Sequence, residues 1–287
     1  MLSRKLTLDG RTWTVHTAGE ADAPTMLLLH GFTGSGRNWE ELASKLRGWQ
    51  IVAPDLPGHG GTEAPAGAMP VVAQDLVSLL DALGIDQALV IGYSMGGRLA
   101  LHLAVEAPER VRGLVVIGAT PGLADAEARA ARLAADEVLA KQIESDFDGF
   151  VRDWEALPLF ASQRALAPES QERIREIRRS HSPDALAKAL RLLGTGAQPP
   201  LQARMSGLQM PVLWVVGEYD AKFRAIAQAV QPLLPAARFA ILPYAGHAVQ
   251  LERPSAFKTL LLSFAEKLPA VPASPDAPAS SSESSPS

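Results

Sequence analysis

Cysteine is absent from the 287-residue sequence, and no apolar run reaches the roughly 18 residues that a membrane-spanning helix needs. The first absence excludes disulfides and thiolate metal sites and fits a reducing compartment, so we expect a cytoplasmic protein. Neither sign of charge is in large excess, with 27 basic and 31 acidic residues, so we expect neither nucleic acid nor membrane as a partner. The first residues hold no apolar segment typical of a signal peptide, and we expect none.

What the sequence does have is a globular composition, with 47% hydrophobic residues. Residues 4–19 alternate apolar and polar side chains around Asp9-Gly10, which predicts a β-hairpin. Short continuous apolar runs then alternate with segments of helical spacing, which predicts a mostly parallel sheet flanked by helices. The apolar runs read PTMLLLHGF, QIVAPDLPGHG, QALVIGYS and VRGLVVIGAT.

The alternation of strand and helix patterns stops near residue 121 and resumes near residue 207. The intervening sequence has helical patterns but no strand-like run, so we expect a helical cap inserted before the last two strands. The predicted organisation is a core formed by residues 1–120 and 207–268, a cap formed by residues 121–206, and a disordered Pro/Ser tail at residues 269–287.

The segment Gly92-Tyr93-Ser94-Met95-Gly96 matches the G-x-S-x-G pattern of a nucleophilic serine on a strand-to-helix turn. It follows a predicted buried strand and opens a predicted helix, which is the structural context that this pattern requires. Glycines before and after the serine allow strand and helix to approach closely. We therefore interpret Ser94 as a catalytic residue.

A catalytic serine needs a base and an acid that orients the base. His247 follows the last predicted strand, and Asp220 follows the one before it. Catalytic groups of open α/β sheets lie at the carboxyl ends of the strands, and the order Ser, Asp, His is that of this hydrolase architecture. Glu218 is the alternative acid. A structural role is the default interpretation for His30 and His59, which lie in glycine-containing turns. The other histidines are His16 in the hairpin, His102 on the helix after the serine and His181 in the predicted cap.

Backbone amides are the natural donors of an oxyanion site. The amide of Met95 directly follows the serine, and Phe32 lies in the glycine-rich segment HGFTGSG after a predicted strand. We predict that these two N–H groups form the oxyanion hole. Nothing in the sequence requires a metal or an organic cofactor.

The motifs LHGFTG, DLPGHGGT, VIGYSMGGR, GEYDAKFRAIA and AGH resemble the α/β-hydrolase fold. The combination of GYSMGGR, FVRDWEALPLFASQ and GEYDAKFRA is more specific. It resembles the menaquinone-pathway 2-succinyl-6-hydroxy-2,4-cyclohexadiene-1-carboxylate (SHCHC) synthases over residues of about 25 to 265. This resemblance implies a lyase whose substrate is a cyclohexene with ring, succinyl and enolpyruvyl carboxylates.

The resemblance also implies the residues that bind this polyanionic substrate. The anion-binding positions of the family are matched by Arg98, Arg132 and Arg179, of which Arg98 lies one helical turn after the serine. Arginine suits this role because its guanidinium binds carboxylates through a bidentate fork. Arg129 could replace Arg132, because it lies three residues earlier on a similar helix face, and Arg178 directly precedes Arg179.

Tyr93 and Trp154 match pocket positions of the same family. The resemblance implies that Ser94, His247 and Asp220 remove a ring proton and that pyruvate leaves without an acyl-enzyme. Two alternatives remain open at this point. One is a serine hydrolase that acts on carboxylic esters or on carbon–carbon bonds, and the other is a ligand-binding protein without turnover. We expect a monomer or a weak homo-oligomer.

Overall fold

Eight strands form one sheet in the computed structural model, which describes residues 1–269. The predicted tail therefore lies outside the described residues, except for its first residue. The strands are β1 (Leu2–Leu8), β2 (Arg11–Ala18), β3 (Thr25–Leu29), β4 (Gln50–Pro54), β5 (Ala88–Tyr93), β6 (Val111–Ile117), β7 (Val212–Gly217) and β8 (Arg238–Leu242). Their order in the sheet is β1-β2-β4-β3-β5-β6-β7-β8.

Ten α-helices and five short 3₁₀ helices accompany these strands in residues 1–269. The α-helices are α1 (Glu40–Ala43), α2 (Met69–Ala82), α3 (Met95–Glu106), α4 (Ala126–Ser145), α5 (Phe147–Ala156), α6 (Pro168–Arg179), α7 (Pro183–Leu193), α8 (Ala221–Val230), α9 (Val249–Glu252) and α10 (Pro254–Ala265). The 3₁₀ helices are Gly36–Trp39, Pro108–Arg110, Pro158–Ala165, Gln202–Gly207 and Gln231–Leu233. No helix in the described range is long and apolar enough to cross a membrane.

The sheet is antiparallel at one edge and parallel elsewhere. β1 and β2 form the predicted hairpin, with Leu8 opposite Arg11 and with Asp9 and Gly10 both at positive φ. β2 pairs antiparallel with β4, and the remaining neighbours are parallel. All carboxyl ends of the six parallel strands therefore point to one edge of the sheet.

Alternation along the central strands divides the apolar core between two faces. Leu27 and Leu29 pack on one face with α2, α3 and α8, whereas Met26 and Leu28 pack on the other with α1, α9 and α10. All four side chains are fully buried. A strand covered on both faces needs such a continuous apolar run, which is the pattern seen in the sequence.

Helices α4 to α7 follow β6 and precede β7, and we call them the cap helices. They have a small core of their own, formed by Ala140, Ile143, Phe150, Val151, Leu186, Ala187 and Leu190. Side chains cap three of these helices: Asp125, Asp146 and Ser182 accept hydrogen bonds from amides in the first turns of α4, α5 and α7. The cap helices cover the carboxyl edge of the sheet, above β5.

Candidate active site

Ser94 lies on the sharp turn between β5 and α3, with φ 53° and ψ −109°. This conformation is rare for a residue with a side chain. The flanking glycines make it possible: a Cβ on Gly92 would lie 2.6 Å from the Cα of Gly97, and a Cβ on Gly96 would lie 2.6 Å from the carbonyl oxygen of His30. Strand and helix therefore meet closely enough to present the serine hydroxyl at the end of the strand.

Ser94, His247 and Asp220 form a continuous hydrogen-bonded chain. The His247 Nε2 lies 3.1 Å from the Ser94 Oγ, and its Nδ1 lies 2.7 Å from the Asp220 Oδ2. Asp220 and His247 are 5% and 2% exposed. With an Nδ1–H that donates to the carboxylate, the Nε2 is free to accept the serine proton. Three segments that are distant in sequence thus place a hydroxyl, a base and an acid in line.

The alternative acid, Glu218, points elsewhere. Its side chain is exposed, and its Oε2 accepts the Tyr244 amide hydrogen at 2.8 Å. Asp220 is the N-cap residue of α8, and its Oδ1 accepts the Phe223 amide hydrogen at 3.2 Å. The geometry therefore brings Asp220, and not Glu218, to the imidazole.

Sequence reasoning missed Glu252, which supports the loop that carries His247. Its two carboxylate oxygens accept the amide hydrogens of Gly246 at 2.6 Å and Ala248 at 3.1 Å. These amides flank the histidine on both sides. A Glu five residues after a loop histidine carries no distinctive pattern, so only the fold reveals this contact.

A cavity of about 180 Å³ opens at Ser94 and is lined by both predicted oxyanion residues, Phe32 and Met95. Neither of their amides donates to another group in the described part of the chain. Tyr93 and Trp154 line the same cavity, and burial raises the pKa of the Tyr93 phenol above its ordinary value. The indole Nε1 of Trp154 is buried and has no partner among residues 1–269.

Two of the predicted arginines, Arg98 and Arg132, line this cavity. Arg98 is 8% exposed, and no carboxylate lies within 4.0 Å of its guanidinium in the described chain. Burial and the charge of Arg132 lower the pKa of Arg98 to about 9, although Asp136 opposes the shift. Arg98 therefore still carries its charge at neutral pH. Arg132 donates to Asp136 at 2.7 Å.

Arg129 does not line the cavity, because its guanidinium donates to the carbonyl oxygens of Leu123 and Ala124. Of the two arginines that the sequence left open on α4, the geometry thus selects Arg132.

The structure does not bring Arg179 to this cavity or to the smaller cavity next to it. Its side chain is exposed, whereas that of its neighbour Arg178 is buried. Arg178 packs over the Phe160 ring at 5.2 Å and, together with Tyr93, lines the smaller cavity. The reason is helix phase: Ile174 is buried on α6, and a residue four positions later lies on the same face. The spacing of this isoleucine was the signal that could have identified Arg178.

Four of the five remaining histidines have hydrogen bonds of their own, whereas both ring nitrogens of His102 are buried without a partner in residues 1–269. His30 accepts the Leu56 amide hydrogen, and His181 accepts that of Gly60 and donates to the Thr33 carbonyl. Burial lowers the pKa of both imidazoles, to about 4 for His30. These contacts support the structural interpretation of the two residues. The three others are buried as well: His16, His59 and His102.

The sequence model of the α/β-hydrolase fold family matches residues 24–254. A protein of Bacillus subtilis (strain 168), provisionally named an SHCHC synthase, is 40% identical over 261 residues, 89% of this chain and 95% of that protein. The SHCHC synthase of Salmonella agona (strain SL483) is 34% identical over 242 residues, 84% of this chain and 93% of that protein.

Solved structures agree with this match. MenH from S. aureus has a TM-score of 0.83 at 32% identity and covers 88% of this chain and 97% of its own. A thermophilic esterase from Thermogutta terrifontis, with malate bound, has a TM-score of 0.79 at 26% identity. This match covers 93% of this chain and 99% of the esterase. The fold class predicted from the sequence is therefore confirmed, and the protein is an enzyme of the α/β-hydrolase superfamily. Within it, the chain belongs to the family of the SHCHC synthases.

Proposed function

We propose that the protein is a carbon–oxygen lyase of menaquinone biosynthesis. It eliminates pyruvate from 2-succinyl-5-enolpyruvyl-6-hydroxy-3-cyclohexene-1-carboxylate to give 2-succinyl-6-hydroxy-2,4-cyclohexadiene-1-carboxylate. The names of the relatives support this activity. The observation that carries the proposal is Arg98, a buried guanidinium in the wall of the serine cavity with no carboxylate partner in residues 1–269. A buried charge needs a counter-charge, and a carboxylate of the substrate supplies it.

The hydrogen-bonded chain supports proton removal by Ser94. His247 takes the serine proton, and the serine oxygen takes the ring proton next to the succinyl ketone. Asp220 orients the imidazole and stabilises its charged form. The amides of Phe32 and Met95 donate to the enolate oxygen as negative charge develops on it.

The electron pair of the enolate then moves through the ring alkene and breaks the C–O bond to the enolpyruvyl group. The departing enolate of pyruvate regains a proton, so the proton removed from the ring balances the one delivered to the product. Since the serine oxygen forms no bond to carbon, no acyl-enzyme arises. Arg98 and Arg132 bind carboxylates of this small polyanionic substrate, and Tyr93 and Trp154 pack against its ring.

Direct measurement of pyruvate release tests the proposal. The enolpyruvyl substrate is made in the cuvette by the enzyme that precedes this step, the protein is added, and pyruvate is followed through NADH oxidation by lactate dehydrogenase. We expect one pyruvate for each substrate molecule. Hydrolysis of p-nitrophenyl acetate is measured in parallel, since ester hydrolysis without pyruvate release would instead assign the protein to the serine hydrolases.

A further inference from the structure

Gln198 is a buried amide at the base of the cap. It is 1% exposed and lies where the chain returns from the cap helices to the core. The Leu201 amide donates to the Pro121 carbonyl at 2.8 Å, so the outgoing and returning segments are bonded together. Gly122 packs against Gln198, because a Cβ added there would lie 3.5 Å from its Cδ. The backbone on both sides of the cap thus encloses the Gln198 side chain at this point.

The partner of Gln198 is Arg98, which lies 100 residues earlier in the sequence. The Arg98 Nη1 donates to the Gln198 Oε1 at 3.3 Å, whereas the Gln198 Nε2 is buried and has no partner in the described chain. An amide that leaves one of its polar groups unpaired is not optimal for stability. A glutamate at this position would bond to a guanidinium more strongly than an amide does. The neutral side chain therefore needs a functional explanation.

Charge balance around the cavity provides that explanation. Three cations line the cavity, and one of them, Lys222, is exposed to solvent. The other two, Arg98 and Arg132, lie near a single buried carboxylate, Asp136, which bonds to Arg132. This corner of the cavity therefore keeps one positive charge. A carboxylate from a ligand would neutralise it, but a carboxylate from the protein would neutralise it first.

We infer that Gln198 is a positioning residue that makes the cavity specific for anions: it orients the Arg98 guanidinium through a neutral acceptor and leaves its charge for a substrate carboxylate. The identity of the substrate rests on the proposed function. The class of ligand follows from the charge of the cavity alone, and it is a ring or short-chain compound with several carboxylates. Gln198 acts through Arg98 and does not itself line the cavity.

The test replaces the amide by an isosteric carboxylate and by an apolar chain of similar length, in the variants Gln198→Glu and Gln198→Met. Isothermal titration calorimetry measures the Kd for benzene-1,3,5-tricarboxylate, a ring probe that needs no turnover. We expect Gln198→Glu to weaken binding at least about 10-fold, because the new carboxylate occupies Arg98. Gln198→Met removes the acceptor that orients Arg98 but adds no competing charge, so its loss of affinity should be smaller and stay within about 5-fold of wild type.

Thermal stability separates this role from a structural one. The glutamate forms an ion pair with Arg98, so Gln198→Glu should unfold at the same temperature as wild type or above it while it binds the probe less tightly. Gln228→Glu adds the same charge at an exposed position that does not line the cavity and is the matched control, with a Kd near that of wild type. Equal losses of affinity in Gln198→Glu and Gln198→Met, in proportion to lost stability, would overturn the inference. So would an equal loss in Gln228→Glu.

The pyruvate assay distinguishes this failure from failure of the proposed function. Wild-type protein that binds the tricarboxylate but releases no pyruvate contradicts the lyase, and the Gln198 comparison still decides the inference. Equal kcat/KM values for pyruvate release by wild type and by Gln198→Glu would contradict the inference but not the lyase activity. If the proposed function and the inference are both correct, we expect the loss of kcat/KM in Gln198→Glu to match its loss of affinity for the probe.

Discussion

Ser94 and Gln198 both adopt arrangements that reduce the stability of the folded chain. Ser94 has a left-handed backbone with φ 53°, which costs a residue with a side chain about 1–2 kcal/mol. Gln198 buries an amide nitrogen without a partner in the described residues, at a cost of about 1–3 kcal/mol. One residue opens into the cavity and the other supports its wall. Local instability of this kind is typical of residues retained for function.

At the same scale, the choice between the two acids can be measured. We expect Asp220→Asn to lower kcat for pyruvate release at least about 100-fold, because the amide no longer stabilises the charged imidazole or selects its tautomer. Glu218→Gln should stay within about 3-fold of wild type, since Glu218 is exposed and accepts only the Tyr244 amide hydrogen. Steady-state kinetics on both variants checks this ranking, and the reverse order would show that the wrong acid has been chosen.

The adjacent arginines of α6 give a second matched pair. Arg178→Ala should raise KM about 10-fold or more, because the buried guanidinium lines the smaller cavity beside Tyr93 and a lost charge-assisted contact is worth about 1.5–3 kcal/mol. The Nη1 of Arg178 also donates to Glu155 at 3.2 Å, so the variant loses an ion pair within the protein as well. Arg179→Ala should leave KM within about 2-fold, because its side chain is exposed. Unfolding temperatures of both variants are measured as well. A larger effect at Arg179 would contradict the helix phase described above.

At the residue scale, the sequence predicts which groups lie close together where the strand topology positions them. Ser94, Asp220 and His247 each follow a strand, and because parallel strands end at one edge, their side chains were expected to meet. Gln198 and Glu252 could not be found in this way. Each acts through one contact with a residue on another segment, and a contact of that kind has no sequence period.

Elements are defined well by the sequence where a long apolar pattern exists. The hairpin and the buried runs of β3, β5, β6 and β7 were predicted because burial on one or both faces requires their composition. The spacing of the segment NWEELASKLRG, residues 38–48, predicts one helix, but the structure forms only the end of the 3₁₀ helix Gly36–Trp39 and the single turn α1 there. Its apolar residues pack individually under the sheet instead of forming a continuous helix face.

The turn between β5 and α3 has no space for an added side chain at its glycines. We expect Gly96→Ala to lower the free energy of unfolding by at least about 2 kcal/mol, because the added methyl group would overlap the backbone oxygens of Leu29 and His30. Gly207→Ala is the control, since an added Cβ there meets nothing within 4 Å. Urea unfolding of both variants gives the comparison. Equal stability would mean that strand and helix can separate without cost.

At the scale of the whole molecule, buried imidazoles join distant parts of the chain. His181, which lies between α6 and α7, bonds to the Gly60 amide and to the Thr33 carbonyl of the core. Two further imidazoles lie next to it. The ring centroids of His59 and His181 are 5.3 Å apart, and those of His30 and His59 are 5.0 Å apart. The cap and the loop that follows β3 are therefore connected through neutral histidines.

This cluster predicts that stability falls in mild acid. Burial lowers the pKa of His30 to about 4, and burial also lowers the pKa values of His59 and His181. Unfolded histidine binds a proton below about pH 6.5, so between pH 6.5 and 4 the unfolded chain holds more protons than the folded one. The free energy of unfolding should therefore fall by about 2 kcal/mol for His30 alone between pH 7 and 5.

The hydrogen bonds of His30 lead to the same expectation, because its Nε2 accepts the Leu56 amide hydrogen at 2.8 Å and a proton on that nitrogen would break the bond. Urea unfolding at several pH values measures the dependence. His30→Gln removes one titrating group, so its stability should decline less steeply over the same range. A wild-type stability that is constant or increases from pH 7 to 5 would show that these imidazoles are not held neutral, and the cap would then be joined to the core in some other way.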